Sequence, residues 1–358
     1  MTTIKAKDYA VYFNSEGYKA INKYVSGTNI SKIFILVDTN THDFCLPLFL
    51  SEFETHLDIE IIEIEAGEIN KNIDTCKGVW EALSELEADR KALLINLGGG
   101  VVTDLGGFVA CTYQRGIKYI NVPTTLLSMV DASVGGKTGV DLGVLKNQVG
   151  VISNGDMVIV DDRFLNTLPY EELRSGLAEM FKHGLIYSKE YWGKFKNLTE
   201  INTDKLSALT WESVDIKNKI VTQDPREENI RKTLNFGHTL GHAVESYFLN
   251  HHSKSMLLHG EAIAAGMLME AFLSYKTTKL SKSDLEEIAE FITRFYPQAD
   301  LHLTDYKSII DLLKYDKKNS HGKINFVLLE EIGQPVLDCN VDNELIEHAF
   351  DFYINCYK

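Results

Sequence analysis

The sequence predicts two domains, an α/β domain with a mainly parallel sheet over residues 1–162 and a mainly α-helical domain over residues 163–358. Short apolar, β-rich runs alternate with helical patterns in the first half, which is typical of a parallel sheet covered by helices on both faces. Long helical periodicities fill the second half. The length of 358 residues is sufficient for two hydrophobic cores.

Five apolar runs are the predicted strands of the first domain. They are KIFILVD (32–38), IEIIEIEAG (59–67), KALLINLGGG (91–100), IKYINVP (117–123) and DMVIVDD (156–162). Segments with helical spacing, such as residues 75–90, separate them. In the second domain, KINFVLL (323–329) and QPVLD (334–338) predict a short β pair among helices.

The composition, with 44% hydrophobic and 24% charged residues, is that of an ordinary globular protein. A net charge of −15 argues against a nucleic-acid or anionic-membrane partner, so an anionic small substrate requires a local basic cluster. The N-terminal segment lacks the features of a signal peptide and no run has the length of a membrane span, so we expect a cytoplasmic protein. The five cysteines include no Cys-x-x-Cys pair. Any metal site must therefore use histidines and carboxylates.

In KALLINLGGGVVTDLGGFVA (91–110), a predicted strand leads into Gly98, Gly99 and Gly100 and then into a helix. Glycines let a ligand approach the backbone closely, and the amides of a helix N-terminus suit a pyrophosphate. The spacing is not G-x-G-x-x-G, so a tight turn without a ligand is the alternative.

The stretch PTTLLSMVDASVGGKTGVD (123–141) and the following LKNQVG (145–150) carry charged and amide residues among glycines. A solvated loop is one interpretation of this pattern. We favour a loop that lines a cleft and binds polar ligand groups. Its candidate residues are Asp131, Lys137, Asp141, Lys146 and Asn147.

TLPYEELRSGLAEMFKHG (167–184) predicts one helix, with Thr167 as its N-cap and Gly184 at its end. Glu179, Lys182 and His183 then share one face. An exposed face of ion pairs is the alternative interpretation of that spacing.

A second helix is predicted from Asp224, with Asp224 as N-cap, Pro225 at the first position and Glu227 completing a capping box. Polar residues at spacings of three and four predict one stripe on this helix, made of Arg231, Asn235, His238, His242 and Glu245.

Histidines at i and i+4 reach one metal ion in helical zinc sites, which makes His238 and His242 candidate ligands. His259, beside another predicted helix start in LLHGEAIAAGM (257–267), is a further candidate. A catalytic zinc takes three protein ligands and keeps one position open. Glu179 with two of His183, His238, His242 and His259 meets that need, and spacing leaves open which two.

Taken together, these motifs resemble those of the 3-dehydroquinate synthase family of sugar-phosphate cyclases, in order and spacing from about residue 36 to residue 330. The motifs are GGGVVTDLGGFVA, PTTLLSMVDASVGGKTGVD, KN-x-x-G, GLAEMFKHG, RKTLNFGHTLGHAVE and LHGEAIAAGM. The resemblance implies a nucleotide-binding α/β domain, a helical C-terminal domain, bound NAD, a zinc ion and a homodimer. Sites made of histidine and carboxylate also take cobalt, so Co²⁺ is the alternative metal. The chain departs from the family in QVGVISNGD (148–156), which lacks the usual aromatic and proline residues, and in a longer loop at LNHHSKS (249–255).

The same resemblance implies roles for individual residues. The zinc ligands are Glu179, His238 and His259. The implied catalytic residues are Lys137, Arg231, Asn235 and His242. The nucleotide positions are Asp38, Asn40, Glu68, Lys71, Gly98, Gly99, Gly100, Asp104, Thr124, Thr125, Asp131, Lys146, Thr167 and Leu168. The substrate positions are Arg115, Asp131, Lys137, Lys146, Asn147, Lys182, Lys217, Arg231, Asn235, His242 and either Lys317 or Lys318.

The activity implied is a carbon–oxygen lyase reaction of the shikimate pathway, in which 3-deoxy-D-arabino-heptulosonate 7-phosphate becomes 3-dehydroquinate and phosphate. It combines NAD-cycled oxidation, phosphate elimination, reduction and an intramolecular aldol step. Three alternatives remain: a sister cyclase that uses sedoheptulose 7-phosphate or glucose 6-phosphate, a metal-dependent polyol dehydrogenase, and a scaffold without activity.

Overall fold

The computed structural model describes residues 3–143, 145–196, 198–251, 253–313 and 324–358. The chain divides into two compact units, Met1–Pro169 with Asn202–Thr222, and Tyr170–Ile201 with Gln223–Lys358. The predicted boundary after residue 162 therefore differs from the division in the structure. Residues 202–222 belong to the first unit because their helix contacts it, for example where the Asn218 side chain donates to the Lys5 carbonyl at 3.3 Å.

The strands are β1 (Ile4–Lys5), β2 (Ala10–Phe13), β3 (Ile33–Asp38), β4 (Ile59–Ile64), β5 (Leu93–Gly98), β6 (Lys118–Pro123), β7 (Lys137–Leu142), β8 (Leu145–Ile152), β9 (Met157–Val160), β10 (Phe326–Glu331) and β11 (Gln334–Cys339). The α-helices are α1 (Ser15–Gly27), α2 (Thr39–Phe44), α3 (Leu46–Glu52), α4 (Ile73–Glu85), α5 (Gly100–Thr112), α6 (Tyr170–Tyr187), α7 (Lys189–Phe195), α8 (Thr203–Gln223), α9 (His238–Asn250), α10 (His259–Thr277), α11 (Lys282–Phe295), α12 (Tyr306–Leu312) and α13 (Asn343–Asn355). Among the described residues, no helix is both long and apolar enough to cross a membrane.

The central sheet of the first unit has the strand order β1-β2-β9-β6-β5-β3-β4, and all neighbouring pairs are parallel except β1 with β2. The predicted mainly parallel sheet is confirmed, and the five predicted runs correspond to β3, β4, β5, β6 and β9. The strand order reverses between β3 and β5, since β4 lies on one side of β3 while β5, β6 and β9 follow on the other. Such a reversal opens a crevice at the carboxyl ends of the strands.

A hydrophobic core lies between this sheet and helices α4 and α5. Leu36 of β3 and Ile62 of β4 belong to it, together with Val79 of α4 and Leu105 of α5. Leu36 and Leu105 have no exposed surface. Burial of these side chains fixes the positions of the strand ends from which the candidate ligand-binding residues extend.

Strands β7 and β8 pair as an antiparallel hairpin, where a glycine-rich loop was predicted. Gly139 and Gly150 are partners in its register, and a Cβ atom on Gly139 would lie 2.5 Å from the Val149 carbonyl oxygen. The loop prediction is wrong for this part because the glycines serve close backbone contact between strands. The preceding Ser128–Ala132 forms a π-helical turn.

Helix α10 is the centre of the second unit and packs against α6, α9, α11 and α13. At its start, a Cβ atom on Gly260 would lie 2.0 Å from the Ser175 carbonyl oxygen, so only glycine allows this approach to α6. Phe181 of α6 makes edge-to-face contacts with Trp192 and Phe291. The predicted β pair is confirmed as the antiparallel β10 and β11.

The helix predicted over residues 167–184 has different ends in the structure. Asp162–Thr167 forms a 3₁₀ helix, and α6 begins after Pro169, so Thr167 is not its N-cap. Helix α6 also continues beyond Gly184. This glycine serves packing instead, since a Cβ atom there would lie 3.0 Å from the Cα of Trp192 in α7.

The predicted helix from Asp224 is wrong in its first half. Ile230–Asn235 forms a 3₁₀ helix, and α9 begins only after Gly237, whose φ of 80° is left-handed and interrupts any helix. A Cβ atom on Gly237 would lie 2.4 Å from Cγ of Met267, so packing against α10 determines this break. The predicted polar stripe therefore divides, with His238, His242 and Glu245 on α9 and with Arg231 and Asn235 before it.

Candidate functional site

Three histidines of the second unit converge. His238 is the first residue of α9, His242 lies one turn later, and His259 is the first residue of α10. Each offers one ring nitrogen, and these nitrogens all lie within 4.8 Å of one another. Of the four histidines that spacing offered as ligands, the described residues bring these three together without His183.

The carboxylate of Glu179 faces two of these histidines. Its Oε1 lies 3.4 Å from Nε2 of His238 and 3.6 Å from Nε2 of His259. Its Oε2 forms an ion pair with Lys182, one turn later in α6. Glu179, Lys182 and His183 are all buried, so the alternative of an exposed ion-pair face is wrong. A buried carboxylate is costly unless a cation pairs with it, and Lys182 is such a cation.

Hydrogen bonds orient the rings of the cluster. Nδ1 of His238 lies 3.2 Å from the Phe236 carbonyl oxygen, and because a carbonyl only accepts, Nδ1 is the donor of this bond, which leaves Nε2 as the ring nitrogen for a metal ion. Nδ1 of His259 lies 3.5 Å from Oε2 of Glu245. Burial lowers the pKa of His259, but the carboxylates of Glu245 and Glu179 raise it to about 10 overall. A metal ion bound at His259 must displace that proton.

The donor set fits a divalent ion such as zinc. Zinc bonds of about 2.05 Å in a tetrahedron place neighbouring donor atoms about 3.3 Å apart. The distances of 3.4 and 3.6 Å from Glu179 to the rings of His238 and His259 agree with that spacing. His242 belongs to the same convergent group, so the site offers a fourth donor or a group beside the ion.

A folded loop precedes the histidine cluster. The Asp224 carboxylate accepts hydrogen bonds from the backbone N–H groups of residues 228, 229 and 231, at 3.0, 2.7 and 3.1 Å. Burial raises the pKa of Asp224, but these backbone bonds lower it overall. Arg231 is buried and donates to the Pro225 carbonyl at 2.8 Å, while Asn235 donates to Oε1 of Glu227 at 2.9 Å. The loop thereby fixes two of the residues that were predicted to bind substrate.

In the first unit, the predicted cofactor residues lie at the carboxyl ends of the parallel strands. Asp38 ends β3, Gly98 ends β5 and Thr124 follows β6. Gly99 is the N-cap of α5 and has no side chain to accept from the first amides of the helix, an arrangement that suits an anionic ligand at this end. The other predicted cofactor residues that follow β3, β4, β5, β6 or β9 are Asn40, Glu68, Lys71, Gly100, Asp104, Thr125, Asp131, Thr167 and Leu168.

A network of charges centres on Lys71, which is 5% exposed. Its Nζ donates to Oδ2 of Asp104 at 2.7 Å and to Oδ1 of Asn147 at 2.8 Å. Lys146 pairs with Glu68 at 2.7 Å. Burial lowers the pKa of Lys71, but Asp104 and Glu68 raise it overall, so the ammonium group stays charged at neutral pH. The structure thus brings together five residues that the sequence assigned to cofactor or substrate.

Two further positions of the first unit form a pair, and the places of Lys137 and Arg115 follow from the strands next to them. Lys217 of α8 donates to Oδ1 of Asp131, on the π-helical turn, at 2.6 Å. Lys137 is an exposed residue at the start of β7. Arg115 precedes the amino end of β6, whereas Thr124 follows its carboxyl end, so Arg115 lies at the opposite edge of the sheet.

Two carboxylates of these networks are absent from the residue roles that the family resemblance implies. Asp141 accepts the Asn147 backbone N–H at 2.6 Å, and the sequence predicted it only as a candidate of the loop that lines a cleft. Asp224 was predicted as a helix cap, and its position beside a proline was the available signal. The candidate substrate residues Lys317 and Lys318 lie outside the described residues.

Solved structures of synthases share this fold over almost the whole chain. One is 2-deoxy-scyllo-inosose synthase complexed with carbaglucose-6-phosphate, NAD⁺ and Co²⁺, with a TM-score of 0.83 and 23% identity over 97% of this chain and 99% of that chain. Another is 2-epi-5-epi-valiolone synthase from Streptomyces hygroscopicus subsp. jinggangensis with NAD⁺ and Zn²⁺ bound, with a TM-score of 0.83 and 24% identity over 99% of each chain. The protein therefore has the fold of this class of synthases, as predicted.

Sequence similarity identifies the family within this class. Models described as 3-dehydroquinate synthase N-terminal and C-terminal match residues 61–175 and 176–319. A 3-dehydroquinate synthase from Parabacteroides distasonis is 42% identical over 335 residues, which are 93% of this chain and 94% of the relative. The chain belongs to the 3-dehydroquinate synthase family, which confirms the resemblance inferred from the motifs.

Proposed function

We propose that the protein is a lyase that converts 3-deoxy-D-arabino-heptulosonate 7-phosphate to 3-dehydroquinate and inorganic phosphate. Family membership at 42% identity over nearly the full length supports this substrate. The observation that carries the chemistry is the buried Glu179 facing His238 and His259, because such a donor set suits a catalytic metal ion.

In the second unit, Glu179, His238 and His259 would hold the ion. When bound, the ion supplies Lewis-acid polarisation of a substrate oxygen. His242 lies within the same group of nitrogens and is available to hold or move a proton beside the ion. Arg231 and Asn235, fixed by the loop before α9, supply a cation and an amide for the anionic groups of the substrate.

In the first unit, residues at the carboxyl edge of the sheet would hold NAD. When bound, NAD supplies reversible hydride transfer without net consumption. The first amides of α5, beyond Gly99, would bind the pyrophosphate, and Asp38 at the end of β3 stands where acidic residues bind ribose hydroxyls. The network of Lys71, Asp104 and Asn147 keeps this edge ordered.

Elimination of phosphate requires an acceptor for the carbon-bound proton that is lost with it, and the substrate's own phosphate takes that role. The other residues at the family's substrate positions are mostly cations, such as Lys137, Lys182 and Lys217, and do not include a carboxylate assigned as a base. Their role is to orient the phosphate and carboxylate groups so that proton and phosphate leave from one bound conformation.

The test is phosphate release from 3-deoxy-D-arabino-heptulosonate 7-phosphate by purified protein with catalytic NAD, before and after chelation and after zinc return. We expect equal amounts of phosphate and 3-dehydroquinate, lost on chelation and restored by zinc. Parallel reactions with sedoheptulose 7-phosphate, glucose 6-phosphate and glycerol test the sister cyclases and the polyol dehydrogenases. Turnover of one of these substrates alone, or net formation of NADH, would refute the proposal.

We also propose a homodimer, on the strength of the family resemblance, and a cytoplasmic location, as the sequence predicts. Sedimentation equilibrium of the purified protein measures the assembly state, and a monomer at all accessible concentrations would contradict it. Fractionation of the native host with antibody detection tests the location.

A further inference from the structure

The first turn of helix α9 is capped by a residue from another helix. Glu270 of α10 has no exposed surface. Its Oε2 accepts the backbone N–H of Gly237 at 2.6 Å, and its Oε1 accepts the backbone N–H of Leu240 at 3.0 Å. These two N–H groups belong to the N-cap and third positions of α9, where N–H groups have no partner within the helix.

A cap from the N-cap residue itself is excluded here. Serine, threonine, aspartate and asparagine are the usual N-caps, but position 237 has a φ of 80°. A Cβ atom there would also lie 2.4 Å from Cγ of Met267 and 3.1 Å from the Ile263 carbonyl oxygen. The tight contact with α10 thus requires glycine, which has no side chain to accept a bond, and the same helix supplies the missing acceptor.

This arrangement links the three histidines through one helix. Helix α10 begins with His259. Three turns later, its residue Glu270 binds the first turn of α9, which begins with His238. A Cβ atom on Gly266 would lie 1.9 Å from the Gly237 carbonyl oxygen, so the two helices meet backbone to backbone and have little room to shift. The carboxylate also places a negative charge at the positive end of the α9 dipole.

We propose that Glu270 is a positioning residue for the candidate metal site, an inference that rests on the proposed metal-dependent function. Glu270 touches neither the ion nor the substrate. It acts through the backbone of residues 237–240, which sets the direction of the His238 ring and, one turn later, of His242. Nothing in its position suggests proton transfer to a substrate, because it is completely buried.

The most informative change is Glu270→Gln, which keeps the size of the side chain. A carboxamide offers one acceptor oxygen and turns an NH₂ group towards the second N–H, so one bond to the first turn of α9 is lost. Residues that orient metal ligands typically contribute about 10- to 100-fold to metal affinity, and we expect a loss in that range. Glu270→Asp keeps the charge but shortens the reach, so its loss should be intermediate.

Ser274→Ala is the matched control. Ser274 is equally buried, one turn further along α10, but it accepts the Leu329 backbone N–H at 2.9 Å instead of holding α9. The Ser274 hydroxyl also donates to the Glu270 backbone carbonyl at 2.7 Å. This variant therefore removes two buried hydrogen bonds from the same helix but leaves the Glu270 carboxylate on α9, so it should lower stability without changing metal affinity.

The experiment titrates metal-free protein with Co²⁺, following its visible absorption, with the urea midpoint of each metal-free variant measured in parallel. We expect weaker cobalt binding and an altered visible absorption spectrum in Glu270→Gln, an intermediate effect in Glu270→Asp, and wild-type affinity in Ser274→Ala. If Glu270→Gln does not fold, Glu270→Asp decides by the same comparison. Wild-type affinity in the tested Glu270 variant, or an equal loss in Ser274→Ala, would refute the inference alone. Wild-type protein that binds no cobalt would refute the metal assignment, and the inference with it.

Discussion

Replacement of Lys71 by methionine should destabilise the first unit of the metal- and nucleotide-free protein. Lys71 is 5% exposed and donates to Asp104 and Asn147. Each hydrogen bond that involves a charged group contributes about 1.5 to 3 kcal/mol, and removal of one partner of a buried pair costs about 3 to 5 kcal/mol. The Asp104 side chain keeps 17% exposure, so water relieves part of the cost. We therefore expect a loss of about 3 kcal/mol, at the lower end of that range.

The assay is urea unfolding followed by tryptophan fluorescence in a Trp192→Phe background, where Trp80 and Trp211 report on the first unit alone. Lys77→Met is the control, because the Lys77 side chain is 70% exposed and its partner Glu81 is 61% exposed. Such a surface pair contributes less than about 1 kcal/mol.

A double variant tests the cause of the loss. Lys71→Met combined with Asp104→Leu leaves no unpaired buried charge, so it should be more stable than Lys71→Met alone. The reasoning would be refuted if Lys71→Met lost no more stability than Lys77→Met. It would also be refuted if the double variant lost the full sum of the two single losses, because the charges would then not be coupled.

Three other changes have defined outcomes. His238→Ala and His259→Ala should lose zinc and activity together, whereas His242→Ala should keep zinc and turn over more slowly. Metal analysis of the dialysed variants checks this, and full zinc in the His259 variant would contradict the ligand assignment. Asp224→Asn should lower stability by about 1 to 3 kcal/mol at neutral pH. The folded-state pKa of Asp224 lies below its ordinary value of 3.8, so this stabilisation is fully present above about pH 3.8 and disappears as the pH falls through the folded-state pKa. The stabilities of wild type and Asp224→Asn should therefore converge in acid, and a constant difference at all pH values would contradict the prediction. Gly193→Ala should stabilise α7 by about 0.5 to 1 kcal/mol in thermal unfolding. Among the described residues, and apart from the chain neighbours and the backbone of α7 itself, no heavy atom lies within 4 Å of the new Cβ, and a lower melting temperature would contradict this prediction.

The strands of the sheet could be predicted because buried strands consist of short, continuous apolar runs. The β3 run, Ile33 to Val37, has no exposed residue, which is why its composition is continuous rather than alternating. The hairpin of β7 and β8 could not be predicted in the same way. Its glycines and exposed polar residues are also typical of a loop, and what distinguishes the two structures is backbone pairing between the strands, such as that of Gly139 with Gly150.

The break at Gly237 was missed for a related reason. The local signals from Asp224 to Glu227 agree with a helix start, and the contact that prevents the helix comes from Met267, thirty residues later. For the histidines, spacing predicted that His238 and His242 share a face, and the structure agrees. His259 joins them because α9 packs against α10, and the periodicity of the sequence does not predict that packing. The assignment of His259 as a ligand came from the family resemblance.

The chain leaves the first unit after Pro169, returns at Asn202 and leaves again after Thr222. The first unit is therefore not a continuous piece of sequence, and a fragment ending at residue 169 lacks the helix that bears Lys217. During synthesis, the ribosome must extend beyond residue 222 before this unit has all its parts. Until then, the surface that α8 covers is exposed to chaperones and proteases, so the order of translation delays completion of the N-terminal fold.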